Sequence, residues 1–371
     1  YVVVVQDVRG RWGSGGTFTP FASEADDGHD AIGWCAELPF GDGRVGMYGA
    51  SYVGATQLLA ATRSPEALRA IAPAITSAEY YDGWTYQGGA LQLFAVFWTL
   101  FGLLPSSLAE LPEPQRGDAM ERLVALLADP SGTFARLPLG DLDGLEEHAP
   151  YLRDWLDHDL RDAYWRSLAP NERYDTIGVP ALHIGGWHDI FVTGTVENAT
   201  RLRNEAATEA ARERQHLVVG PWSHALYGDV IGSVEYGPAA ALGAAALTEL
   251  QLAWFDEHLL GRAATERPPV RYFLMGANTW HDASGWPVPA DERRLYLHSD
   301  GEANTLTGDG RLSDEPCREG EEPDTFLYDP ADPVPTRGGA TLLPGQMVSR
   351  WAGSHDQREV EQRGDVLVYT G

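Results

Sequence analysis

The chain has 371 residues, 43% of them hydrophobic, and a formal net charge of −27, with arginine supplying all 27 of its basic side chains. That length allows two or three domains with sizeable cores, while the acidic balance lacks the positive footprint that nucleic-acid binding requires. No run of about 18 apolar residues is present, so no membrane-spanning helix is expected.

Tyr1 to Asp7 is a continuous apolar run and predicts a central parallel strand ending in Asp7-Val-Arg9-Gly10. Residues 11–21 are rich in Gly, Ser and Thr and read as a loop. Residues 24–37 predict a helix with acid in its first turn, where the helix dipole favours it. Arg44 to Tyr48 reads as a short strand, Gly49-Ala-Ser51-Tyr-Val-Gly54 as a tight turn, and Val53 to Thr62 as a buried helix. Leu68 to Pro73 is a further apolar strand. Alternating strands and helices imply right-handed crossovers onto one mostly parallel sheet.

The pattern changes over residues 79–169, which predict a helical insertion without a clear strand. Tyr80, Tyr81, Trp84 and Tyr86 open it, and core packing and pocket lining both stay open for these rings. Leu91 to Leu104 is apolar on every side and must be buried. Amphipathic helices are expected around residues 122–128 and 151–167. Sheet-like sequence returns at Val179 to Gly186 and at His216 to Gly220, with helices over residues 191–203 and 240–260. Val270 to Gly276 reads as the last strand of the sheet. Beyond a Trp286-Pro-Val-Pro289 linker, short strands at residues 294–298, 325–328 and 365–369 suggest an all-β module.

The strand–turn–helix around Ser51 is the setting of a nucleophile elbow. Such a turn exposes the serine hydroxyl beside helix-terminal N–H groups, and Gly49 and Gly54 permit the close packing it needs. A serine nucleophile requires a base and an acid that orients the base. In doubly wound sheets these follow in chain order at strand ends. Asp189 and His224 each come just after a predicted strand and fill those places. His188 is a poor rival because it adjoins Asp189, His183 lies within a strand, and His216 sits at the wrong strand end. Asp7 ends a strand but precedes the serine. Neither a metal-ligand spacing nor a nucleotide-binding glycine loop is found, so no metal and no cofactor are expected. Cys35 and Cys317 match neither a zinc nor a disulfide spacing, and Cys35 reads as a small buried apolar residue.

Asp7-Val-Arg9-Gly10, Gly49-Ala-Ser51-Tyr52-Val-Gly54, Gly186-Trp-His-Asp189-Ile-Phe191 and Gly220-Pro-Trp-Ser-His224 together resemble the cocaine esterase and X-prolyl dipeptidyl-peptidase family of serine hydrolases. Gly88 to Leu91, Val270 to Gly276 and Tyr328 to Pro335 match it as well. The resemblance implies an α/β-hydrolase core over residues 1–78 and 170–289, a helical cap over 79–169, and the start of a C-terminal jelly-roll over 290–371. It places Ser51, Asp189 and His224 on the family triad and the Tyr52 backbone N–H in the oxyanion hole. Trp84, Trp98 and Phe191 fall at or near positions lining the acyl pocket. The implied substrate is a small ester or a short peptide, and a homodimer stays open.

Two departures shape the expectation. The family's second oxyanion donor, a tyrosine hydroxyl, lies upstream of residue 1, and the jelly-roll stops after its opening strands. Weak activity or poor solubility is therefore expected of this chain. Val53 argues against the α-amino-acid ester hydrolases, which carry glutamate or tryptophan after the Ser-Tyr pair, while the X-prolyl peptidase branch stays open. A cytoplasmic location is favoured, with secretion also open. The evenly spread acid and absent lysine suggest a surface suited to high salt.

Overall fold

The sheet of the protein forms from apolar segments whose side chains alternate between two helical layers. In the computed structural model, which describes residues 1–224, 227–263, 266–342 and 351–371, it has six strands. These are β1 (Val45–Ala50), β2 (Leu68–Ala74), β3 (Ala181–His188), β4 (Gln215–Ser223), β5 (Val270–Leu274) and β6 (Thr279–Ala283), in that spatial order. The first five pair in parallel, and β6 turns back antiparallel on β5. An α/β-hydrolase sheet with helices results, followed by a small C-terminal β module.

Alternation along the strands builds two cores. Ile71 and Ala181 join Ile32, Leu58 and Leu202 on the face covered by α1 (Glu24–Ala36), α2 (Tyr52–Ala61) and α3 (Val192–Glu205). Ala70, Ala72, Leu182 and Ile184 point to the other face, against Trp254 and Phe255 of α4 (Ala244–His258). Period-two side-chain geometry accounts for both faces at once. Gly28 lets α1 approach α2, since a Cβ there would come within 2.6 Å of the Ala60 Cβ.

Residues between β2 and β3 carry the helical layer above the strand ends. The apolar stretch forms one rod in three pieces: an α-turn at Leu93–Phe97, a π-helical turn at Trp98–Leu103 and a second α-turn at Leu104–Ala109. Pro105 in the last piece lacks an N–H to continue the ladder, which helps explain the wide turn before it. The buried Arg11 guanidinium clasps this rod to the preceding loop, donating to Leu103 O at 2.9 Å, to Ser107 Oγ at 3.0 Å and to Ser106 Oγ. Arg11 also lies 4.8 Å from the centre of the Phe18 ring.

Several expectations need correction. Residues 1–7 form no strand, and Val2 to Val5 lie exposed. Apolar character alone does not make a central strand. It needs a ladder partner and a layer on each face, and these residues have neither among the described residues. Asp7 is accordingly at no strand end. Val270–Leu274 is not the last strand, because β6 pairs with it. A two-residue hairpin, Tyr86–Gln87 with Ala90–Leu91, interrupts the helical insertion, turning through Gly88 and Gly89 at φ 57° and 86°. The single helix expected over 151–167 is two, Pro150–Asp157 and Ala163–Leu168. Cys35 is only half-buried. In the C-terminal module Tyr296–His298 pairs with Arg311–Ser313, whereas residues 325–328 and 365–369 are not strands.

Candidate active site

Parallel strands end on one side of a sheet, so the residues that follow β1, β3 and β4 share that rim. Ser51 follows β1, Asp189 follows β3 and His224 follows β4. The structure brings all three together. Ser51 Oγ is 2.9 Å from His224 Nε2, and His224 Nδ1 is 2.7 Å from Asp189 Oδ1. Asp189 is fully buried, and the His224 side chain retains 10% of its exposure. Solvent therefore reaches the serine end of the series and not the carboxylate end.

The elbow that presents Ser51 is held from several sides. Ser51 sits at φ 60°, ψ −125°, a conformation that non-glycine residues avoid and that costs on the order of 1–3 kcal/mol. Its N–H donates to Ala74 O at 2.9 Å, tying the turn to the end of β2. Gly49 has φ 148°, and a Cβ there would lie 2.5 Å from Val53 Cγ1. A Cβ on Gly54 would meet the Thr76 Cβ at 2.9 Å and Ala74 O at 3.0 Å. Both glycines are thus required by close packing, as their sequence positions imply. The buried Gln57 laces the same turn, donating to Gly49 O and Val53 O and accepting the Ala72 N–H at 3.0 Å.

Asp189 is fixed by its own chain. Its N–H donates to Gly186 O at 3.0 Å, beside a shift in register between β3 and β4. Gly186 cannot carry a side chain, since a Cβ would lie 2.3 Å from Trp222 O. The rival histidines point elsewhere. His188 Nε2 lies 3.2 Å from the Tyr236 hydroxyl, and His183 is buried at Gln215 Oε1, where desolvation pulls its pKa down to about 4.

Aromatic rings pack against His224 and Tyr52. Phe191 meets the His224 ring edge to face at 5.2 Å and stacks on Trp84 at 4.2 Å. Trp98 lies 5.4 Å from Trp84 and 5.7 Å from the Tyr52 ring, and it stacks on Trp155 at 6.0 Å. Trp84 and Phe191 are fully buried and Trp98 is half-buried, so these rings are part of the core that backs His224 and Tyr52. Trp155, Phe18 and Phe21 belong to the same cluster but had no sequence signal beyond being aromatic. Gln57 and Glu24 were also missed. The first looks like any polar residue of a helix, and the second like an exposed first-turn acid.

Among the described residues one group of side chains is tight enough to hold a metal ion: His298, Cys317 and Glu321 in the C-terminal module. Both His298 nitrogens are already engaged, by the Glu321 carboxylate at 2.9 Å and by Glu315 O at 2.8 Å.

Comparison with known proteins gives a consistent result. Residues 1–226 match the family described as X-Pro dipeptidyl-peptidase (S15 family). Residues 262–371 match the X-Pro dipeptidyl-peptidase C-terminal non-catalytic domain. The chain is 37% identical to a cocaine esterase from Rhodococcus sp. (strain MB1 Bresler) over 381 residues, covering all of this chain and 64% of that protein. An aminopeptidase from a marine sediment archaeon (Thaumarchaeota) superposes with a TM-score of 0.69 at 23% identity, over 98% of this chain and 59% of the other. An α-amino acid ester hydrolase superposes with a TM-score of 0.62 at 22% identity, over 89% and 54%. These two establish the fold alone. The chain spans under two thirds of the length of each of these three proteins.

Proposed function

The chain belongs to the S15 family of X-Pro dipeptidyl-peptidases, and from that premise we propose that it is a serine hydrolase cleaving small esters by acyl transfer. The observation that carries the proposal is the unbroken series Ser51 Oγ, His224 Nε2, His224 Nδ1, Asp189 Oδ1, with contacts of 2.9 and 2.7 Å. A hydroxyl whose proton has a base at hydrogen-bond distance, itself oriented by a buried carboxylate, is an activated nucleophile.

Ser51 Oγ attacks the ester carbonyl as its proton passes to His224 Nε2. The negative charge that develops on the carbonyl oxygen is received by the Tyr52 N–H at the start of α2. His224 then protonates the departing alcohol, leaving an acyl group on Ser51. Water, deprotonated by the same imidazole, releases the acid. Asp189 keeps Nδ1 protonated and stabilises the imidazolium in both halves. Phe191, packed on His224 and backed by Trp84 and Trp98, gives the acyl group an apolar surrounding. We take residues 1–78 and 170–289 as the hydrolase core, 79–169 as its cap and 290–371 as the start of a second module.

Ester cleavage is preferred over X-prolyl peptidase activity because a relative 37% identical across the whole chain is an esterase. Turnover of a panel of aryl esters and of a Gly-Pro anilide, with Ser51→Ala as control, tests this. Esters should be hydrolysed and the anilide left intact, with the variant inert. Cleavage of the anilide alone would assign the peptidase reading, and equal ester turnover by Ser51→Ala would refute both.

A further inference from the structure

The first turn of α1 carries three acids, Glu24, Asp26 and Asp27, but they do different things. Asp26 and Asp27 are ion-paired to Arg63 and Arg9 at the surface. Glu24 is 4% exposed, and no arginine is ion-paired to it among the described residues. Burial pushes its pKa up. A carboxyl in that setting is costly unless its hydrogen bonds are used. Glu24 Oε2 accepts the Ser23 N–H at 3.1 Å, and Glu24 Oε1 accepts the hydroxyl of Tyr52. That hydroxyl in turn accepts the Phe21 N–H at 3.1 Å.

Tyr52 directly follows Ser51, so its ring hangs from the same peptide whose N–H is the proposed oxyanion donor. The ring is wedged among Phe21 at 5.1 Å, Trp98 at 5.7 Å and Phe18 at 6.3 Å. Its tip is pinned between Glu24 and the Phe21 N–H. A ring packed against three aromatic neighbours and hydrogen-bonded at its tip leaves its own main chain little freedom, with only two side-chain torsions in between. Ser51 is held in a strained conformation, and strain persists only when surrounding contacts over-determine it.

We propose that Glu24 is a positioning residue for the oxyanion hole: through the Tyr52 hydroxyl it sets the orientation of the Tyr52 main-chain N–H. This rests on the acyl-transfer reading above. Glu24 touches no reacting atom and acts only through Tyr52.

The test first asks whether the wild-type protein hydrolyses p-nitrophenyl butyrate and is labelled at Ser51 by a fluorophosphonate. Failure there would strike the acyl-transfer reading and not the role of Glu24. Given labelling, Glu24→Ala, Glu24→Gln and Tyr52→Phe are compared by kcat per labelled site, by KM, and by inhibition with a boronic acid that forms a tetrahedral adduct on Ser51. Glu24→Ala and Tyr52→Phe should lower kcat about 10- to 100-fold, with boronate affinity falling in parallel, as expected for a displaced donor. KM should stay within about twofold, because the loss concerns the transition state. Glu24→Gln keeps an oxygen that can accept the Tyr52 hydroxyl and should recover most of the loss. If Glu24→Ala does not fold, Tyr52→Phe, which removes one oxygen atom, carries the test. Full kcat per labelled site in the folded variants, a loss confined to KM, or equal damage from Gln and Ala would overturn the proposal.

Discussion

At the scale of single residues, the site depends on where a proton and a Cβ can sit. Asp189 Oδ1 meets His224 Nδ1 in a fully buried setting, so an amide there would leave the imidazole in the wrong tautomer. Asp189→Asn should lower kcat by roughly 10⁴ while the protein stays folded, as measured by ester kinetics and circular dichroism. Gly49 is intolerant for a different reason, its φ of 148° combined with the approach of Val53. Gly49→Ala is expected to cost about 1–3 kcal/mol in urea unfolding and to lower activity with it. Glu24 gives a pH signature. Its folded-state pKa is raised, so its favourable contribution is complete below the unfolded carboxyl value and is lost as pH rises through the raised one. The melting temperature of Glu24→Gln relative to wild type should therefore rise between pH 4 and neutrality, and a constant difference would contradict the burial argument.

At the scale of elements, the ends of β1, β3 and β4 were legible because chemistry and topology coincide there. A G-x-S-x-x-G turn, an Asp and a His each followed an apolar run, and parallel pairing forces such ends together. Residues whose role comes from tertiary contacts were not legible. Glu24 has the sequence position of a solvated cap, yet its helix turns it inward to Tyr52. The apolar run at residues 1–7 has strand composition but no ladder among the described residues, and the Gly88-Gly89 hairpin is too short for a periodic signal. The π-turn at Trp98–Leu103 was not legible either. A Cβ on Gly102 would come within 2.7 Å of Trp98 Cδ1, so this glycine lets the indole lie where it does. Gly102→Ala should displace Trp98 and, if Trp98 lines the proposed acyl site, raise KM for a benzoyl ester by roughly tenfold, with a smaller effect on an acetyl ester. The pairing of His183 with Gln215 joins β3 to β4 through a histidine whose pKa is held at about 4. A depressed histidine stabilises the fold above its unfolded value of about 6.5 and loses that contribution as pH falls toward 4. The decline in melting temperature over that interval should be shallower in His183→Gln.

At the scale of the molecule, a net charge of −27 carried without a single lysine repels itself across the surface. The Debye length falls from about 30 Å at 0.01 M salt to about 3 Å at 1 M, so molar salt removes most of that repulsion. The melting temperature should rise with salt, and equal values in dilute buffer and molar salt would contradict a salt-suited surface. The two layers that flank the sheet, and the ring cluster above its strand ends, serve one arrangement: a strained serine presented to a histidine whose far side is dry. That arrangement is addressed most directly by locating the covalent adduct. After reaction with a fluorophosphonate, peptide mass spectrometry should find the added mass on Ser51 alone, and His224→Ala should slow its appearance by orders of magnitude. No adduct on Ser51, or labelling as fast without His224, would contradict acyl transfer through this site.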